Sequence, residues 1–192
     1  MGACGNEQVF GINYDITFSA VIDLGTGKLL LALARTWGIS AMYRNVPNAY
    51  VKAPTEKNLN LYLRVPQGME ISTTKLEEFG VPSGEQLVRR LQKSIYGLNQ
   101  AGGLWIQLLH DKLSDAVFTQ TLTDSCLYYD QDSSGITVLE VYVDDILVTG
   151  KSVSRIESTF ESFSKPFNQE SRTSKQYLGY ASSLTAKKVD IL

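Results

Sequence analysis

At 192 residues, with 43% hydrophobic and 20% charged side chains, the chain is long enough to bury a core and is not composed like a disordered tail or fibrous repeat. Its 18 basic and 20 acidic residues leave a net charge of −2, which argues against a broad basic stripe of the kind that grips a phosphate backbone; Arg89, Arg90 and Lys93, and Lys187 with Lys188, make only small patches. No apolar run approaches bilayer length and no charged-then-apolar leader opens the sequence, so an intracellular protein is expected, cytoplasmic or nuclear, neither secreted nor membrane-bound.

In chain order, Gly25-Thr26-Gly27-Lys28 looks like part of a phosphate loop. It fails, because Ile22 replaces the first glycine of the motif and Leu29 the magnesium-binding Ser or Thr. A helix over about 28–37 is the better reading, with Leu29, Leu30, Leu33 and Trp37 at helical spacing. A strand is expected over 39–46, stopped by Pro47, and a half-buried strand over 59–65, where apolar and polar residues alternate up to Pro66. A loop with one helical turn should fill 70–84, and 86–91 reads as a strand. Leu104, Trp105, Leu108, Leu109 and Leu113 mark an amphipathic helix over 99–117. Strands over 125–129 and 136–143 pair across a polar turn, a third returns over 145–149, and a helix over 152–163 turns Ile156, Phe160 and Phe163 inward. Strands and helices mix without strict alternation, which predicts an α+β fold around a largely antiparallel sheet, in one domain without linkers or repeats.

Val141-Tyr142-Val143-Asp144-Asp145-Ile146-Leu147-Val148 is the richest segment. Two β-branched runs read as strands, and the paired acids read as the turn between them, since Asp tolerates tight turns. Two adjacent carboxylates repel unless a cation relieves them, and oxygen ligands suit Mg²⁺. The plainer alternative is a surface turn. Elsewhere the sequence offers little chemistry: Cys4 and Cys126 form no zinc-binding or disulfide pattern and are expected as reduced thiols, and the single histidine, His110, is expected at the surface of its helix, which leaves no Ser-His-Asp set.

Several blocks, taken in order, resemble the reverse transcriptase of copia-type long-terminal-repeat retrotransposons. They are Thr17-Phe18-Ser19-Ala20, Asn48-Ala49-Tyr50-Val51-Lys52-Ala53, Arg64-Val65-Pro66-Gln67-Gly68-Met69, Leu91-Gln92-Lys93-Ser94-Ile95-Tyr96-Gly97-Leu98-Asn99-Gln100-Ala101, Trp105 and Tyr142-Val143-Asp144-Asp145. The resemblance implies a right-hand polymerase palm with partial fingers, an antiparallel sheet backed by helices: fingers over about 1–38 and 52–95, palm over about 39–51 and 96–180, and a divergent tail over 181–192. It implies an RNA-directed DNA polymerase acting on an RNA or DNA template-primer and dNTPs, with two Mg²⁺ ions about 3.5–4 Å apart that stabilise the attacking and leaving oxygens.

The same resemblance assigns residues. Asp144 is the hairpin ligand, Asp145 its weaker neighbour and Val46 a backbone-carbonyl ligand. Tyr50 is implied as the sugar gate, with Tyr96, Gly97 and Gln100 near nucleotide or template; each has a plainer alternative as a core or connecting residue. The family's other essential Asp stands at the start of an Asp-(Val/Ile)-x-x-Ala-(Tyr/Phe) block, and here the residues are Asn45-Val46-Pro47-Asn48-Ala49-Tyr50. A neutral amide cannot bridge two cations as an anion can, so metal affinity and catalysis should fall. Asp15, Asp23 and Asp124 lie outside the matched block. The family's Lys and Arg are also replaced by Asn99 and Gly103, and Gln169-Glu170-Ser171-Arg172-Thr173 replaces a Lys-Asp-Leu-Gly-like stretch. A truncated, decayed copy with impaired polymerase activity is therefore expected, or alternatively a non-catalytic remnant or repurposed nucleic-acid-binding module.

Overall fold

The structure, a computed structural model, describes residues 3–15, 17–19, 24–39, 41–66, 68–168 and 178–180. Asp23, the Lys187 and Lys188 patch, the 169–173 stretch and the 181–192 tail lie outside the described residues. The elements are α1 (Leu24–Trp37), β1 (Met42–Asn45), α2 (Ala49–Lys52), β2 (Tyr62–Arg64), α3 (Thr73–Glu78), β3 (Leu87–Arg90), α4 (Ala101–Asp115), β4 (Thr119–Gln120), β5 (Leu127–Asp132), β6 (Gly135–Tyr142), β7 (Asp145–Gly150), α5 (Val153–Asn168) and β8 (Leu178–Tyr180). Helices mixed with antiparallel sheets make this an α+β fold, as the patterning predicts. The chain divides into two compact units, one of Met1–Phe18, Tyr50–Leu104 and Ser171–Leu192, the other of Ser19–Ala49 and Trp105–Glu170.

The second unit is built on a five-stranded antiparallel sheet in the order β1-β7-β6-β5-β4. In β6, residues 137–141 are all buried, because helices cover the sheet where an alternating strand would leave one face wet. Tyr128, Val138, Leu139, Val141, Ile146 and Val148 are among the sheet's contributions to the core. Trp105, Leu109 and Leu113 on α4 and Ile156 and Phe160 on α5 recur at four-residue steps and are buried, as periodicity predicts; the side chain of Phe163 is outside the described set. The end of α4 closes as a Schellman motif: Phe118 N–H donates to Leu113 C=O at 2.9 Å and Val117 N–H to Ser114 C=O at 3.0 Å, with Val117 at a φ of 65° where glycine is usual.

One charge in this unit is out of place. Glu140 is 4% exposed in the middle of β6, and its Oε1 has no hydrogen-bond partner. Burial first, and then nearby Asp124, push its carboxyl above the ordinary range. Asp124 itself is answered, accepting from Thr26 Oγ1 at 2.6 Å and from Cys126 N–H at 2.8 Å. At the far end of the sheet, the guanidinium of Arg155 on α5 reaches Asp130 at 2.5 Å and Asp132 at 3.4 Å. The two thiols are free: Cys126 is buried, and that burial pushes it up to about 11, while Cys4, in the first unit, is exposed.

The first unit carries a three-stranded antiparallel sheet, β2-β3-β8. Leu61, Leu98 and Ala101 form its core, with Ala3, Tyr50, Leu63, Leu91 and Ile95 packed against them. A buried amide network ties the amino-terminal segment to the start of α4. Gln8 Nε2 donates to Gln100 Oε1 at 2.9 Å, Gln100 Nε2 to Asn13 C=O at 3.1 Å, and Asn99 N–H to Gln8 Oε1 at 2.7 Å.

Candidate active site at the hairpin tip

The predicted site residues divide between the units: Asn45, Val46, Asp144 and Asp145 fall in the second, and Tyr50, Tyr96, Gly97 and Gln100 in the first. In the second unit, β1 ends beside the start of β7, and the antiparallel register sets Asn45 directly opposite Asp145. Val46 N–H donates to Asp144 C=O at 2.7 Å, so Asn45 and the two acids, far apart in sequence, meet at one end of the sheet.

The turn differs from the sequence expectation. Tyr142 pairs with Asp145, so the two turn residues are Val143 and Asp144, and Asp145 is already the first residue of β7. A two-residue hairpin of this hand needs a positive φ at its first central position. That falls to Val143, with a φ of 56°, a conformation β-branched side chains rarely adopt. The consequence is separation of roles: Asp144 stands in the turn, while Asp145 points with the strand.

Asp145 Oδ1 accepts two neutral donors, the Tyr43 hydroxyl at 2.5 Å and the Asn45 amide Nδ2 at 3.0 Å. The bond to Asp145 is the first cause that raises the Tyr43 phenol above its ordinary value. Tyr43 was not singled out from the sequence. The signal was available, because a strand's two-residue period puts Tyr43 and Asn45 on one face. Arg44, on the other face, lies with its guanidinium 5.4 Å from the centre of the Phe160 ring.

A divalent-cation centre does not fit this arrangement. The proton-bearing groups of Tyr43 and Asn45 both face one Asp145 oxygen, Oδ1, where a bridging site would carry a further anion, and among the described residues no three His, Cys, Asp or Glu side chains are grouped to hold a metal. Of the sequence alternatives, Asp124 is already bonded to Thr26 and Cys126, and Asp23 lies outside the described residues.

In the first unit, Tyr50 and Tyr96 pack with ring centres 4.7 Å apart and planes at 41°, and Tyr96 remains 39% exposed. Gly97 has a φ of 92°, and a Cβ there would lie 2.0 Å from Ala3 C=O; the close approach this glycine permits is to the chain's own amino-terminal segment. Gln100 is fully buried and spends its amide on Gln8, Asn13 and Glu56. His110 is partly exposed on α4, its Nδ1 3.3 Å from the Tyr128 hydroxyl on β5.

The family model for reverse transcriptase (RNA-dependent DNA polymerase) matches residues 1–191. The chain belongs to that family. It is 28% identical over 167 residues, 86% of its length, to the retrovirus-related Pol polyprotein from transposon TNT 1-94 of Nicotiana tabacum. It is 30% and 29% identical over 189 residues, 97% of its length, to those from transposons RE2 and RE1 of Arabidopsis thaliana. The chain spans 12% of the length of each of these polyproteins. No solved structure matches it. It is a reverse transcriptase domain of the copia type, from a retrotransposon, and among its described residues no helix is long and apolar enough to cross a membrane.

Proposed function

We propose that this reverse transcriptase domain is a catalytically silent form of an RNA-directed DNA polymerase, its cation centre replaced by hydrogen bonds. Palm is read over about 39–51 and 96–180 and partial fingers over about 1–38 and 52–95, with template-primer and dNTPs as the ancestral substrates and Mg²⁺ as the ancestral ion. Nucleotidyl transfer by two cations needs anionic ligands that neutralise and bridge them. The observation that carries the reading is the Asn45 Nδ2 to Asp145 Oδ1 bond at 3.0 Å, which puts a donor where an anion is required. What remains is a template-binding fold without the means to stabilise charge developing on the transferred phosphoryl group.

Primer extension with Mg²⁺ or Mn²⁺, beside Mn²⁺ binding followed by electron paramagnetic resonance, tests this on the chain, Asn45→Asp and Asp144→Asn. No extension by the unaltered chain is expected, and Asn45→Asp should tighten Mn²⁺ binding at least about tenfold by adding an anionic ligand. Extension by the unaltered chain that disappears in Asp144→Asn overturns the proposal, and so does Mn²⁺ affinity that Asn45→Asp leaves unchanged.

A further inference from the structure

The Val143 backbone is an outlier that needs a cause. A valine at a φ of 56° is disfavoured by steric crowding of its branched side chain, and such conformations persist only where surrounding structure enforces them. The other valine with positive φ, Val117, is held by the two Schellman bonds at the end of α4. At Val143 the bond that meets the turn comes from a side chain: Trp105 Nε1–H donates to Val143 C=O at 2.5 Å.

We propose that Trp105 is a positioning residue that fixes the Val143–Asp144 turn and so determines where Asp144 stands. Trp105 is suited to this because it cannot easily move. It is 0% exposed on α4, in line with buried Leu109 and Leu113, so its indole ring is clamped by the core while its single polar atom reaches the turn. Val143 C=O lies between the end of β6 and Asp144. Anchoring that carbonyl fixes the peptide plane leading into Asp144, and Val46 N–H, bonded to Asp144 C=O at 2.7 Å, ties the result to the end of β1. One indole N–H thus links the helix to both stretches that form the hairpin site. The inference deepens the reading of the hairpin tip as the ancestral cation site, but its geometry stands whether or not a cation binds.

Amide hydrogen exchange at Val46 reads this without any metal, since that N–H reports on the position of Asp144 C=O. In Trp105→Phe, exchange at Val46 should accelerate about tenfold, the equivalent of one lost hydrogen bond. In Trp105→3-benzothienylalanine, which keeps the fused ring and removes only the donor, the same acceleration should occur while exchange at Leu139 and Val148 in the sheet centre stays unchanged. Val143→Gly, added to either variant, should restore most of the protection, because glycine adopts the turn without a clamp. Unchanged exchange at Val46, a uniform rise across Val46, Leu139 and Val148, or no recovery with glycine each overturns the proposal. A general packing role for Trp105 would give the uniform rise and no recovery. Because no cation enters the measurement, its failure leaves the metal reading standing, and failure of Mn²⁺ binding leaves this one standing.

Discussion

Gly97 and Val143 reach the same left-handed backbone region by opposite means. In the first unit a glycine supplies the conformation, and its missing side chain makes room for Ala3 C=O. In the second unit a valine is forced into it while a tryptophan holds the carbonyl. One conformation is written in the residue itself; the other is imposed from a distance. A misfit is tolerated where a partner answers it, and the cost should appear where none does.

The most damaging test is Gly97→Ala. The added methyl meets Ala3 C=O at 2.0 Å in a strained backbone, so urea unfolding should show a loss on the order of 3–4 kcal/mol, from overpacking and the left-handed penalty together. A loss under about 1 kcal/mol would break the comparison by showing that the amino-terminal segment gives way freely.

Glu140 is the misfit whose Oε1 has no hydrogen-bond partner among the described residues, and Glu140→Leu should stabilise the chain at pH 7 by about 1–3 kcal/mol, the usual cost of an unsatisfied buried polar group. The sign with pH follows from its raised carboxyl. Below its ordinary value of 4.5 both folded and unfolded chains hold the proton; above it the unfolded chain releases the proton first, so stability falls as pH rises until the folded carboxyl also ionises. Melting temperature followed across that range should show the decline in the unaltered chain and lose this component in Glu140→Leu. An equal decline in both would show that Glu140 is answered after all.

Gly11→Ala separates strain from clash, because Gly11 has a φ of 76° and open space where a methyl would go. About 1–2 kcal/mol is expected, the backbone penalty alone. Smallest is Val143→Gly with Trp105 intact: relief of strain and the greater entropy of unfolded glycine nearly cancel, leaving a change within about 0.5 kcal/mol by urea unfolding. A gain well above that would mean the indole bond holds the valine less firmly than the core holds the indole.

Much of this arrangement was legible beforehand, and the reasons it was or was not are physical. The helix carrying Trp105, Leu109 and Leu113 and the β6–β7 hairpin declare themselves by period, and Asn45 declares itself by its place among matching neighbours. Thr119–Gln120, Leu178–Tyr180 and Ala49–Lys52 are too short for a period to register; partners elsewhere in the chain define the two strands. The hairpin's centre was misplaced by one residue because turn propensity favours Asp over Val, and strand register overruled it. Gln100 and Tyr96 look alike from sequence as candidate contacts, yet one is sealed in an amide network and the other keeps a partly open ring, a distinction only packing creates.

The contrast between the two cysteines has a practical outcome. Cys126 is enclosed and holds its proton far above neutral pH, whereas Cys4 lies open on the first unit. A maleimide dye added to the native chain near pH 7 should therefore attach to the first unit alone. That provides a single spectroscopic label on the first unit, with no engineered residue.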